Sequence, residues 1–293
     1  MFNKRYRWLT VTILAIATLA FSGFLLLSIF APLFQGGLAG SPSPEASTTA
    51  SPQADLEAQA KGYELVLQRE PDNQTALKGL IDTRIQQGNI EATIAPLEKL
   101  AALNPGQPEY TVLLAQAKQR IGDREGAAQA YRSILSSRPG DLNALQGLVD
   151  LMLEQERPQA AIGLLQDTLK TADEANRIQP GSVDVTSVQL LLGRVYAEEG
   201  RFDEAIAVYD QSIESDRQDF RPVLGKALVL QSQGKNEEAQ PLFVSAAALA
   251  PAQYKDQINQ IASSASPTPA ASSAPEGSPA PEASPTPAAS STP

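Results

Sequence analysis

The chain has 293 residues, with 23 Lys or Arg and 33 Asp or Glu, so its net charge is −10 at neutral pH. It contains no Cys and no His, which excludes disulfides, zinc thiolate sites, thiol catalysis and every site that depends on an imidazole. An acidic chain without a basic stripe also argues against nucleic acid as a partner.

The N-terminal segment has the pattern of a membrane anchor. Residues 8–34 contain no charged side chain and are almost wholly apolar, and about 20 apolar residues are enough to cross a bilayer. The basic residues next to this stretch all precede it, and they are Lys4, Arg5 and Arg7. The positive-inside rule therefore predicts that residues 1–34 form a cytoplasmic basic N-terminus and a transmembrane helix, with the rest on the periplasmic or lumenal side.

A cleaved signal peptide is the alternative interpretation of the same segment. The apolar core of a signal peptide is normally only about 7–15 residues long, whereas residues 8–34 form a longer stretch. Gly37, Leu38 and Ala39 offer only a weak cleavage site. The length of the stretch therefore favours a retained single-pass anchor.

A linker and a lone helix are predicted to follow the anchor. Residues 35–53 are rich in Gly, Ser, Pro, Thr and Ala, a composition typical of flexible linkers. Residues 54–71 read as one helix that ends at Pro71. Because Tyr63 and Val66 occupy the places of a second repeat helix, this segment is predicted to cap the repeats that follow.

Residues 74–253 repeat with a period of 34 residues. The fifteenth place of a window is Gly in four of five windows, the twentieth is Ala or Thr, and the twenty-fourth is aromatic or Leu. This pattern predicts two helices joined by a tight turn, with a left-handed Gly after the first helix and a small residue where the helices touch. The windows are 74–107, 108–141, 142–175, 186–219 and 220–253.

The pattern resembles the tetratricopeptide repeat (TPR), most clearly in GRVYAEEGRFDEAIAVYDQSI from Gly193 to Ile213. The resemblance implies an all-α fold in which helix pairs stack as a right-handed superhelix. One pair cannot bury its apolar face alone, so stacking provides the core. The TPR domain is therefore expected to span residues 54–263.

Three departures from the pattern stand out. The window at 142–175 has Glu156 in place of the turn Gly and is followed by ten extra residues, 176–185. This insertion is predicted to prolong the second helix and then turn at Pro180 and Gly181, as either a tolerated surface loop or a binding feature. Pro96 and Pro241 fall inside predicted second helices, where each should remove one backbone hydrogen bond and bend its helix.

The C-terminal part reads as a cap helix followed by a tail. Tyr254, Ile258 and Ile261 are spaced for one helical face within residues 252–263, which predicts a helix that solvates the end of the stack. Residues 264–293 contain only Ser, Pro, Ala, Thr, Gly and two Glu. Such a composition cannot bury enough apolar surface to fold, so a disordered tail is predicted.

No catalytic constellation is found in the sequence. There is no GK[ST] phosphate loop and no GxGxxG motif after a strand. The adjacent carboxylates, such as Glu237 with Glu238, lie at predicted helix ends, where acidic residues stabilise a helix N-terminus. The sequence therefore predicts no enzyme activity, no cofactor and no metal site.

The TPR resemblance implies where partners would bind. The first helix of each repeat lines the inner groove through its second, fifth, ninth and twelfth places, and these are mostly polar here. A groove of this kind suits an extended segment or a helix of another protein. The residues predicted to face a partner are Lys78, Asp82, Gln116, Asn143, Gln146, Asp150, Arg194 and Gln231.

A second resemblance is more specific. The stretch DFRPVLGKALVLQSQGKNEEAQPLFVSAAALAP from Asp219 to Pro251 is similar to the last repeat of the Slow Green-type TPR proteins of chloroplasts and cyanobacteria. The run ADEANR before the insertion also resembles that family. The resemblance implies a photosynthetic lineage and a role in building or maintaining plastid or thylakoid proteins.

Together these patterns predict a membrane-anchored TPR scaffold or assembly factor that binds other proteins in its concave groove. The alternative is a co-chaperone or envelope-maintenance factor that acts on periplasmic clients. An enzyme is a third interpretation, and the missing His, Cys and nucleotide loops weigh against it.

Overall fold

The computed structural model describes residues 52–264, and this part of the chain consists of twelve α-helices and one 3-10 turn, without a strand. The predicted anchor, nearly all of the linker and the tail beyond residue 264 lie outside the described residues. Among the helices from residue 52 to 264, none is long and apolar enough to cross a membrane.

Consecutive helices pair as antiparallel neighbours in chain order, which builds the all-helical superhelix expected from the repeats. The five repeats are the pairs α2–α3, α4–α5, α6–α7, α8–α9 and α10–α11, with α1 before them and α12 after them. The bounds are α1 Pro52–Arg69, α2 Gln74–Gln86, α3 Ile94–Leu103, α4 Pro108–Arg120, α5 Arg124–Ser137, α6 Leu142–Glu154, α7 Pro158–Ile178, α8 Val185–Glu198, α9 Phe202–Ser215, α10 Phe220–Ser232, α11 Asn236–Leu249 and α12 Ala252–Ser264.

The turn inside each repeat has the left-handed residue that the fifteenth place predicts. Gly88, Gly122, Gly200 and Gly234 have φ between 74° and 87°. Glu156 adopts the same conformation with φ 57°, and it is the one non-Gly residue with positive φ among residues 52–264. In that repeat the N–H of Arg157 donates to the carbonyl of Met152 at 2.9 Å, the bond that closes a helix C-terminus around a left-handed residue.

The small residues at the twentieth place and the large ones at the twenty-fourth are buried. Ala127, Ala161, Ala205 and Ala239 are each fully buried. Tyrosines at the twenty-fourth place lie over glycines of the following helix, because a Cβ built at Gly147 would overlap the ring of Tyr131 and one at Gly225 would meet Tyr209 at 2.8 Å. The seams between the first and second repeats and between the third and fourth have Leu at both places: Leu97 with Leu113, and Leu165 with Leu191.

The insertion at residues 176–185 extends a helix and then forms a loop that is held in place by side-chain hydrogen bonds. Helix α7 continues to Ile178, and Gly181 at φ 76° makes the turn that follows. The side chain of Asn176 donates to the carbonyl of Val183 at 2.9 Å and accepts from the N–H of Val183 at 2.9 Å. These bonds hold the loop against Gly140, where a Cβ would collide with the backbone of Val183.

The two prolines have different effects. A 3-10 turn at Glu91–Thr93 precedes α3, so Pro96 is the third residue of a helix that begins late. A helix N–H at that position has no intrahelical partner. The prediction that Pro96 removes a backbone hydrogen bond is therefore wrong. Pro241 is inside α11, as predicted, and its ring faces solvent.

Candidate functional site: an apolar slot in the repeat stack

One cavity of about 550 Å³ lies between the first helices of the last repeats and α12. Its walls come from α6, α8, α10 and α12, and we call it the slot. Most of its lining is aliphatic or aromatic: Leu142, Leu190, Leu191, Phe220, Leu224, Leu228, Val229, Tyr254, Ile258 and Ile261. An apolar concave cavity with a few polar groups at its border is the usual form of a binding site.

The C-terminal wall of the slot is α12, which packs as the first helix of an incomplete repeat. Tyr254 stacks on Phe220 with ring centroids 5.5 Å apart, and Tyr254 lies 34 positions after Phe220 in the sequence. Ile258 follows Leu224 by the same interval and is only 2% exposed. The inner face of α12 borders the slot, as the inner faces of the first helices α6, α8 and α10 do.

A shared ion pair lies at the border of the slot toward α6. Arg194 on α8 donates to Asp150 on α6 at 2.6 Å, and its other terminal nitrogen lies 3.8 Å from Glu198. Burial lowers the pKa of Arg194, but the charges of Asp150 and Glu198 outweigh it, so its pKa lies above the ordinary value. Burial raises the pKa of Glu198 despite the attraction of Arg194. The Nε of Arg194 is buried without a hydrogen-bond partner.

A second arginine borders the slot from α10. Arg221 donates to Asp219 at 2.6 Å and to the hydroxyl of Ser187 at 3.1 Å. The hydrogen bond to Asp219 raises the pKa of Arg221, and in turn Arg221 holds the pKa of Asp219 below its usual value even though burial opposes this. Both arginines of the slot border are therefore already paired with carboxylates of this chain.

Of the eight residues predicted to face a partner, three line the slot: Asn143, Gln146 and Arg194. Asp150 is next to the slot through its ion pair with Arg194. The remaining four lie on the first helices α2, α4 and α10 and are partly buried outside the slot: Lys78, Asp82, Gln116 and Gln231. Their contact with a partner stays a prediction.

The polar residues on α2 have their own surroundings. The ammonium of Lys78 lies 5.5 Å from the ring centre of Tyr110 on α4. Burial raises the pKa of Asp82, which is partly exposed. In the part of the chain from residue 52 to 264, no group of acidic side chains has an arrangement that could hold a metal ion.

The eight residues predicted to face a partner are all polar, so the apolar character of the slot was not predicted. Leu190 and Leu224 occupy the same fifth place as Lys78 and Gln146, and Leu228 occupies the ninth. The role of α12 was also missed, since it reads as a solvating cap. The signal that reveals it is the continued 34-residue spacing from Phe220 to Tyr254.

Comparison with known proteins identifies the repeat. The family model described as tetratricopeptide repeat matches residues 50–249. The chain belongs to the tetratricopeptide repeat family. TPR proteins are typically non-enzymatic scaffolds for protein interaction.

Two curated proteins are distantly similar to this chain. SLOW GREEN 1, chloroplastic, of Arabidopsis thaliana is 26% identical over 190 residues, which is 65% of this chain and 59% of that protein. Cellulose synthase operon protein C of Pseudomonas fluorescens is 30% identical over 115 residues, which is 39% of this chain and 9% of that protein. The chain thus aligns with less than two thirds of the length of either relative. SLOW GREEN 1 is thus a distant relative of this chain, in agreement with the resemblance to Slow Green-type proteins found in the sequence.

Several solved structures share the helical repeat at low identity. The Thermus thermophilus TPR protein TTC0263 is 21% identical, and the match covers 66% of this chain and 98% of that one with a TM-score of 0.43. Yeast Tom70 is 15% identical, with 75% of this chain and 44% of that chain covered and a TM-score of 0.49. Similarity at this level concerns the type of fold and says nothing about the ligand.

Proposed function

We propose that this protein is a membrane-anchored TPR scaffold whose slot binds a segment of a partner protein. The observation on which the proposal rests is the apolar slot itself. Leu190, Leu224 and Leu228 line a concave surface. The equivalent fifth and ninth places are Lys78 and Asp82 on α2, and Val112 and Gln116 on α4, so three of these four are polar. Apolar side chains on a concave protein surface gain most from a partner that removes them from water.

Membrane attachment is part of the proposal, and its support is the sequence alone. Residues 8–34 are apolar and follow Lys4, Arg5 and Arg7. We infer a single-pass protein with its N-terminus in the cytoplasm and its repeats on the periplasmic or lumenal side. Protease added outside intact spheroplasts should digest the repeats, whereas protection until permeabilisation would contradict a periplasmic location and favour an internal compartment.

The partner system is proposed from the distant relationship to SLOW GREEN 1. A cyanobacterial or plastid protein of this kind would support the assembly or maintenance of thylakoid proteins. The C-terminal stretch Asp219–Pro251 that resembles this family also supplies Phe220, Leu224 and Leu228 to the slot. The stretch with the family resemblance therefore contributes one of the helices that line the slot, α10.

The experiment compares two apolar-to-acidic variants of the full chain. Leu224→Asp places a charge in the slot, and Val244→Asp places one on α11, where Val244 is already 63% exposed. Each variant is immobilised and exposed to detergent-solubilised membranes of the cells that produce the protein. Leu224→Asp should lose the captured proteins and Val244→Asp should keep them. Equal capture by both variants would refute the slot as the binding site.

A further inference from the structure

The charges around the slot are unbalanced. Arg194 is shared by Asp150 and Glu198, so two carboxylates face one guanidinium on the α6 side. The same excess is found around Arg221, the second arginine that lines the slot. The carboxylates that act on Arg221 are Asp184, Asp216 and Asp219. The charged residues that line the slot itself are these two arginines. The five carboxylates lie beside them, so the seven groups together give the surroundings of this apolar cavity a net negative charge.

The slot also has few groups that could satisfy the backbone of an extended peptide. Arg194 already donates to Asp150, and Ser187 accepts from Arg221 while its own hydroxyl donates to Asp184. The amide side chains in the lining are Asn143, Gln146 and Gln257. An extended segment presents one N–H and one C=O per residue, and each would lose its hydrogen bond to water in an apolar cavity.

A helix has no such difficulty, because its backbone groups pair within the helix. Only the side chains of one face then need to match the slot. Leu190 on α8, Leu224 on α10 and Ile261 on α12 line the slot and are only partly buried, so three neighbouring helices offer apolar groups to a partner. A bound helix with apolar residues at positions i, i+3, i+4 and i+7 can cover such a surface.

We propose that the slot binds an amphipathic helix of another protein, with an apolar face flanked by Lys or Arg side chains. This inference rests on the proposed function and adds the chemistry of the partner. The apolar face packs on the leucines of α8 and α10. The flanking cations meet the carboxylates that share Arg194 on one side and surround Arg221 on the other.

The chain's own C-terminal tail is a second possible occupant, and the charges disfavour it. Residues 265–293 contain no basic side chain, and their two charged residues are Glu276 and Glu282. Both would be repelled by a border that is already rich in carboxylates. The tail also offers no large apolar side chain for the slot.

The test measures the binding of synthetic peptides to the full chain in detergent solution by fluorescence anisotropy. The reference peptide is a cationic amphipathic helix of roughly 18 residues, about five turns, with Leu at helical spacing and Lys on the borders of that face. Three further peptides replace the Lys residues by Glu, place Pro at the centre, or scramble the order. A fifth peptide has the sequence of residues 265–293.

The cationic helix should bind at least about tenfold more tightly than the other four peptides, a difference of about 1.4 kcal/mol. Its affinity should fall as salt is added, because screening weakens attraction between exposed charges. Leu224→Asp should weaken binding of the cationic peptide at least about tenfold. If the peptide were attracted only by the overall acidic charge of the protein, the added negative charge would strengthen binding, so this variant tests whether the peptide occupies the slot. Val244→Asp should bind like the wild type.

The carboxylates are tested by Asp150→Asn combined with Glu198→Gln, which should reduce the preference for the cationic peptide. The matched control is Glu237→Gln combined with Glu238→Gln, two exposed carboxylates on α11 away from the slot. If Leu224→Asp lowers the melting temperature, Leu190→Asp on α8 repeats the slot test. The salt dependence of peptide binding is measured on the wild-type chain, so it tests the charge argument independently of whether any variant folds.

Several outcomes would overturn the proposal. Equal affinity for the Lys and Glu peptides would refute the charge argument, and equal affinity for the Pro peptide would indicate an extended occupant. Tighter binding of the tail peptide would indicate an intramolecular ligand. After any of these three peptide results, the proposed function would still stand if Leu224→Asp no longer captured the natural partners. Unchanged capture of natural partners by that variant would refute the proposed function itself.

Discussion

Glu156 offers a direct test of the repeat turn. It is the one fifteenth-place residue that is not Gly, and it has φ 57°. A non-Gly residue in the left-handed region costs about 1–2 kcal/mol, since its Cβ approaches the following carbonyl. Gly avoids this contact, but its greater conformational freedom in the unfolded chain lowers the stability of the fold by about 0.5–1 kcal/mol relative to Ala. Glu156→Gly should therefore stabilise the fold by about 0.5–1 kcal/mol.

The measurement is thermal unfolding followed by circular dichroism, for the wild type and for Glu156→Gly and Glu156→Ala. One kcal/mol corresponds to about 2–4 °C in a domain of this size, so the Gly variant should melt about 1–4 °C higher. Glu156 is exposed and follows the C-terminus of α6, where a negative charge is unfavourable. The Ala variant removes that charge but keeps the Cβ, so the difference between the two variants reports the backbone alone.

A Gly variant no more stable than the Ala variant would refute the expected cost of a Cβ at this left-handed position. That result would mean that the turn after α6 relaxes without cost around a side chain. Gly200→Ala gives the reverse test at a turn of the same geometry, where Gly200 has φ 74° and open space around it. It should destabilise the fold by about 1 kcal/mol, since only the conformation and no clash opposes the new Cβ.

Three further outcomes follow from the packing. Ala205→Leu should destabilise the fold by about 1–3 kcal/mol in urea titrations because Ala205 is fully buried, whereas Ala207→Ser on the exposed side of the same helix should have little effect. Gly147→Ala should destabilise it by a similar amount by overlapping Tyr131, and Tyr131→Leu should relieve part of that loss in a double-mutant cycle. Burial raises the pKa of Tyr131 to about 12 from 10.0, so stability that is complete below pH 10 should fall as the pH rises towards 12, and Tyr131→Phe should reduce that fall.

The sequence predicts the repeat frame because the required residues are few and local. A left-handed turn needs Gly, and a close helix contact needs a residue as small as Ala205, so both leave a mark at a fixed place. The frame also places Tyr131 and Tyr209 in the seams. It does not show that these rings need Gly147 and Gly225 opposite them, since that contact joins one repeat to the next across the stack.

The apolar slot is harder to predict because polarity at a groove-facing place is not fixed by the frame. Lys78, Gln146, Leu190 and Leu224 share the fifth place, and each is compatible with the same helix pair. The effect of these residues on the polarity of the groove appears only when neighbouring first helices are stacked side by side. Two adjacent leucines then make an apolar surface, whereas one leucine between polar neighbours would be an isolated exposed residue.

The position of α12 links the stability of the C-terminus to binding. Ile258 helps to bury the core around Phe243, and it also lines the slot. A terminal helix without a following partner is among the first elements to open in a repeat stack. A partner helix that covers the partly buried Tyr254 and Ile261 would supply part of the packing that a further repeat would give. Binding in the slot should therefore slow hydrogen exchange in α12 more than in α2, because a ligand stabilises the states to which it binds.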